Sequence, residues 1–175
     1  MAQPSPEPDR PTLLHPARGY ADQPVPLSGR AMLTTGFALA ITGGALAARR
    51  AGVRWPERMA AGDVVAAGVA TYKLARIISK DKVTTFARAP FTEFQEGAGR
   101  GEVDEAPRGG SMRRAVGELL TCPYCLAVWI ASGFAGGLVV APRATRVAIA
   151  ALDMVALADV LQMIDRAAAR SLMDS

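Results

Sequence analysis

Charged positions divide this chain into four long apolar stretches separated by polar ones. Ala31 to Ala48 carries no charge over 18 residues and is bracketed by Arg30 and Arg49. As a helix rising 1.5 Å per residue it would be about 27 Å long, close to the hydrocarbon thickness of a bilayer. Leu119 to Pro142 has no charged residue across 24 positions and is the strongest membrane-span signal in the chain. Met59 to Ile78 is less clean, with Asp63, Lys73 and Arg76 inside it. Lys73, Arg76 and Lys80 recur at helical spacing, so they share one face near one end, from which long basic side chains reach the headgroups.

Thr145 to Ile164 is the fourth stretch, and it contains Arg146, Asp153 and Asp159. A helix lying on a membrane surface needs its polar groups on one side. Taking Arg146 as zero at about 100° per residue, Asp153 falls near 340°, Asp159 near 220° and Gln162 near 160°. This scatter favours a spanning helix whose acids meet different neighbours. Asp159 and Lys73 each lie about 8 Å from the inner end of their helix, and an unpaired charge there costs at least about 2.5–3.5 kcal/mol. Asp159 is therefore expected to face Lys73 or Arg76. Asp153, nearer the midplane, is expected to be protonated or bonded to a hydroxyl such as Ser132.

The polar segments complete the organisation. Residues 1–30 are rich in Pro and poor in large apolar residues, and read as a disordered tail. A cleaved leader ending near Ala47 fits poorly, because the preceding segment carries Glu7, Asp9 and Asp22. Within a core of residues 59–165, residues 92–110 are acidic and glycine-rich and read as a mobile loop. Ser111 is a plausible N-cap for a short helix through Leu120, and residues 166–175 read as a C-terminal tail. The expected fold is an all-α membrane bundle of about four spans.

Composition agrees. Half of the chain is hydrophobic and only 6% aromatic, a balance suited to helices packed closely through small residues in lipid. The formal net charge is +4, with 17 Arg and 3 Lys. No basic cluster is interleaved with aromatics, so nucleic acid is not an expected partner. Counting Lys and Arg outside the spans gives 12 on the side of both termini and 6 on the other. That bias places both termini in the cytoplasm of a bacterial plasma membrane, although Arg49 to Arg58 pulls the other way.

The two cysteines form a single motif, Cys122-Pro123-Tyr124-Cys125. Pro123 suits the first turn of a helix, which makes Cys122 the N-cap, at the positive end of the dipole where thiolate is favoured. A packing role, thiol–disulfide chemistry with Cys122 as attacker and Cys125 as resolver, and metal ligation all fit these residues. Ligation needs a second chain, since the single His15 is in the tail and zinc takes about four ligands. The same tetrapeptide serves glutaredoxins, where it follows a strand in a soluble βαβ domain, a context absent here.

Arg76, Asp81, Arg88 and Glu118 cluster at the same end of the bundle, either as a salt-bridge network or as a polar pocket beside Cys122. Asp63, Asp153 and Asp159 are intramembrane acids, which raise the idea of an ion path. The sequence contains no phosphate-binding glycine loop, no H-E-x-x-H and no G-x-S-x-G, and no cofactor is expected.

The stretch from Tyr72 to Trp129 resembles DUF1360, a bacterial family of unknown function with a Bacillus member associated with sporulation. The matching residues are Tyr72 to Ile78, Asp81-Lys82-Val83 and Arg88-Ala89-Pro90-Phe91. After a variable loop come Gly117 to Cys125 and Val128-Trp129. The resemblance spans roughly Ala61 to Asp165 and leaves out the first apolar stretch. It implies a core of three membrane spans and no reaction. Three function classes stay open: a structural or assembly protein of the cell envelope, a thiol–disulfide protein, and a small transporter subunit. The expected partners are the bilayer and either a second copy or another membrane protein.

Overall fold

The computed structural model describes residues 25–99 and 101–173. Most of the expected tail therefore lies outside the described residues. Helix α1 (Leu27–Arg50) begins earlier than expected, after Pro26. Helix α2 (Ala61–Lys80) leads into a short 3-10 turn (Lys82–Thr84) and the single-turn α3 (Thr85–Arg88). Strands β1 (Thr92–Gly99) and β2 (Glu102–Pro107) follow, and then α4 (Ser111–Thr121), α5 (Pro123–Val140) and α6 (Pro142–Met173). Among the described residues α1, α5 and α6 are long and apolar enough to cross a membrane. Helix α2, with its internal charges, does not meet that composition.

Paired side chains set the direction of each helix. Arg146 meets both oxygens of Asp63 at 2.9 and 2.7 Å, and Lys73 Nζ meets Asp159 at 2.6 Å, so α2 and α6 run parallel. Helix α5 turns directly into α6 at Ala141 and is antiparallel to both. Close packing at that turn depends on Gly137, where an added Cβ would sit 2.6 Å from Thr145 Oγ1. Ala70, Leu138 and Ile149 join the three helices, with Phe134 and Leu152 packed around them. Helix α1 lies along α5, where Phe37 and Trp129 meet with centroids 4.8 Å apart, and it is anchored to α4. Ser28 and Ser111 share a hydrogen bond of 2.7 Å, and Arg30 meets Glu118 at 2.8 Å. Both ends of the described chain thus lie at the end of the molecule that carries the hairpin. The linker at residues 51–60 lies at the opposite end.

Several expectations are corrected. In place of the expected loop, β1 and β2 pair as an antiparallel hairpin, with Gly99 and Gly101 taking positive φ. The helix expected to begin with a Ser111 cap has Gly110 as its N-cap. Ser111 Oγ instead accepts the Gly29 N–H at 3.2 Å. Helix α6 continues through Met173, so residues 166–173 extend a helix rather than leave it. Arg146, Asp153 and Asp159 span an arc of about 140°, and the outer two both pair with α2. Ser132 donates to the Val128 carbonyl at 2.8 Å and not to Asp153, whose Oδ1 is buried without a hydrogen-bond partner.

Candidate functional site

The last turn of any helix leaves carbonyls without intrahelical partners. At the end of α2 two side chains from downstream supply them. Thr84 Oγ1 donates to the Ile77 carbonyl at 2.6 Å. Arg88 Nη1 donates to the Ile78 carbonyl at 2.7 Å, and both of its terminal nitrogens reach the Asp81 carbonyl at 3.1 Å. The α3 turn exists to bring Arg88 back under α2, and Arg88 is fully buried there. Its Nη1 also donates to Thr84 Oγ1 at 2.6 Å, and its Nε meets Glu105 Oε2 on β2 at 2.7 Å. Thr92 on β1 donates to the same Glu105 oxygen at 3.1 Å. One guanidinium therefore ties the end of α2 to the hairpin, and its charge is compensated by Glu105 within the chain.

Two more contacts fasten the hairpin. Arg76 pairs with Glu102, and Lys80 Nζ meets Asp104 at 2.8 Å. The alternation Glu102-Val103-Asp104 turns both acids toward α2 and buries Val103. Helix α4 then covers the hairpin through Gly117. A Cβ at that glycine would sit 2.5 Å from the Phe91 carbonyl and 3.1 Å from Pro107 Cβ.

The cysteine motif occupies the joint between α4 and α5. Cys122 breaks the helix in extended conformation, is the N-cap of α5, and accepts the Cys125 N–H on its sulfur at 3.1 Å. Pro123 stands at the first helical position, as its missing N–H favours. The two cysteines are joined as a disulfide, with their Cα atoms 5.3 Å apart. The motif follows a helix, not a strand, so the glutaredoxin context is absent.

The charges expected as one cluster at this end do not pair with one another. Arg76 meets Glu102, Arg88 meets Glu105, and Glu118 is shared by Arg30 and Arg114. Asp81 contributes its backbone carbonyl and a bridge to Glu102. Arg113 and Arg108 reach the carbonyls of Pro90 and Ala89. The acids expected within the membrane separate as well. Asp63 and Asp159 each meet a cation at opposite ends of the α2–α6 contact.

Sequence reasoning missed Glu102, Asp104 and Glu105, which hold the hairpin, and Thr84 and Thr92, which complete the Arg88 cage. The strand-like alternation through Val103 was the available signal.

A family model for proteins of unknown function, DUF1360, matches residues 67–165, more than half of the chain. The chain belongs to the DUF1360 family. The DUF1360 region begins within α2 and ends within α6, so α1 lies before it. The motifs that suggested the family map onto one structure: the end of α2, the Arg88 turn, the Gly117 contact and the disulfide joint. No curated protein and no solved structure matches the chain.

Proposed function

We propose that this DUF1360 protein is a multi-pass protein of the bacterial plasma membrane, with a structural or assembly role in the cell envelope and no reaction of its own. In this reading α1, α2, α5 and α6 all cross the bilayer, α2 included because its Lys73 and Asp63 are paired with α6. Both termini are cytoplasmic, by the excess of Lys and Arg on their side. The hairpin and α4 form a cap at that face, and the partner is a second copy or another membrane protein. The observation that carries the reading is the fate of the motif residues. Arg76, Arg88 and Glu118 are each engaged by the chain's own groups, and Arg88 is buried beyond the reach of any substrate. A motif used this way builds an architecture rather than a reaction centre.

The disulfide favours a second reading, thiol–disulfide exchange between Cys122–Cys125 and a partner dithiol at the membrane face. A cytoplasmic location works against it, since the cytosol keeps thiols reduced unless an oxidising partner intervenes. Replacement of both cysteines by Ser, with acid-quenched alkylation of cell membranes to detect any mixed disulfide, separates these readings. Under the structural reading, replacing both cysteines by Ser leaves the protein inserted and its cellular role intact, whatever their redox state. Loss of that role with insertion preserved, together with a trapped mixed disulfide, would give the redox reading the lead.

A further inference from the structure

Most cations at the hairpin end are answered from within the chain, Lys82, Arg166 and Arg170 being the exceptions among the described residues. Arg30, Arg76, Lys80, Arg88 and Arg114 meet carboxylates, and Arg108 and Arg113 meet carbonyls. At the opposite end Arg49, Arg50, Arg54 and Arg58 fall within ten residues, all exposed, and none has an ion pair among the described residues. Glu57 is the single acid within that stretch. These arginines also run against the charge bias that orients the chain.

Beside them opens an apolar cleft of about 710 Å³ between the second halves of α1 and α5. Its walls are small and apolar, including Gly44 and Ala48 on α1 and Gly136 and Val140 on α5. Trp55 and Pro56 of the linker close its end, and Trp55 is 53% exposed. The arginines stand at this rim by chain continuity. Arg49 follows the lining residue Ala48, Arg54 precedes Trp55, and Arg58 adjoins Met59. An apolar slot of membrane depth, an interfacial tryptophan and a fourfold unanswered positive charge belong to one kind of ligand.

We propose that this end of the molecule binds an anionic phospholipid, with an acyl chain in the α1–α5 cleft and the headgroup phosphate on the arginines of residues 49–58. The lipid fills the cleft between α1 and α5, and it supplies the counter-charge that these arginines lack within the chain. The inference rests on the membrane reading given above.

The test uses the full chain in bilayers of dioleoyl phosphatidylcholine, with Trp fluorescence quenched by brominated phosphatidylglycerol or brominated phosphatidylcholine at equal mole fraction. The bromines are on the acyl chains, so a free phosphate ion cannot mimic the signal. The chain has two tryptophans, and Trp129→Phe leaves Trp55 as the only reporter. The unaltered chain provides a parallel reading where that variant folds poorly. Brominated phosphatidylglycerol is expected to quench Trp55 preferentially, with about fivefold in relative affinity for each arginine engaged. Replacing Arg49, Arg50, Arg54 and Arg58 by Gln is expected to abolish the preference while quenching by phosphatidylcholine persists. Equal quenching by the two lipids overturns the proposal and leaves the membrane reading standing. A preference that survives the four substitutions overturns the headgroup site. Quenching that disappears as the protein-to-lipid ratio rises assigns the cleft to a second copy and overturns the lipid. Absence of quenching by either lipid overturns the membrane reading itself.

Discussion

Arg88 and Glu105 show how one buried pair fixes a local architecture, since their side chains are 1% and 3% exposed. Removing one partner leaves the other charge buried and alone, at a cost of about 3–5 kcal/mol. Glu105→Leu is therefore expected to lower stability by that amount in detergent, measured by chemical denaturation. Arg88→Leu should do the same, with a further loss because the Ile78 and Asp81 carbonyls lose their donor. The double variant Arg88→Leu/Glu105→Leu should be less destabilised than the sum of the singles, since neither charge is stranded. Strict additivity would show that the pair acts through its separate backbone contacts. Gly117 belongs to the same scale. Gly117→Ala drives a methyl against the Phe91 carbonyl, and overpacking of that kind costs about 1–3 kcal/mol. The expected result is a lowered unfolding midpoint, while Gly133→Ala, inside α5 with nothing within 4 Å of the added carbon, does not lower it and gains helix propensity.

Helices were more legible in this sequence than the hairpin, and the reason lies in where each gets its stability. Helix α5 announces itself locally, by an uncharged run, Pro123 at its first position and Cys122 before it. The Lys73–Asp159 pair was legible because an unpaired charge at membrane depth demands a partner at the same depth. The hairpin's local signature is weaker, no more than the alternation through Val103. Its strands are short, acidic and broken by glycine, and what holds them is Arg76, Lys80 and Arg88, brought in by the ends of α2 and α3. Composition alone reads such a segment as a linker, because the stabilising charges are not in it. The outer pairs and the buried one should also differ in strength. Lys80 and Asp104 are 27% and 48% exposed, and exposed pairs contribute about 0.2–1 kcal/mol and weaken in salt. Asp104→Asn is expected to change stability by less than about 1 kcal/mol, with a difference that shrinks at high sodium chloride. The loss from Glu105→Leu should persist at that salt concentration.

Considered whole, the molecule has a polar end, where hairpin, α4 and both ends of the described chain meet, and a linker end rich in unanswered arginine. The pairs Asp63–Arg146 and Lys73–Asp159 span the interval between them and make α2 part of the same body as α6. This is the physical argument for α2 as a fourth crossing despite its charges. A charge that is neutralised by a facing helix no longer has to reach water, so composition understates how well such a helix is accommodated in lipid. Two outcomes check it. In bilayers, Asp159→Leu should cost about 2.5–3.5 kcal/mol by stranding Lys73, and Lys73→Leu/Asp159→Leu should recover most of that loss, read by steric trapping or thermal unfolding in nanodiscs. The arrangement of the ends gives the second outcome. With Cys122 and Cys125 replaced by Ser, a single cysteine at Glu57 and one at Ser171 report opposite faces, because an odd number of crossings separates them. A membrane-impermeant thiol reagent on intact cells should label the Glu57 position and spare the Ser171 position, the latter reacting only after the cells are opened. The reverse pattern would put the hairpin and the disulfide outside, in an oxidising compartment, and would turn the argument from architecture toward thiol exchange. Labelling of both positions from outside would mean that α2 does not cross the bilayer and that its pairs with α6 form at the membrane surface.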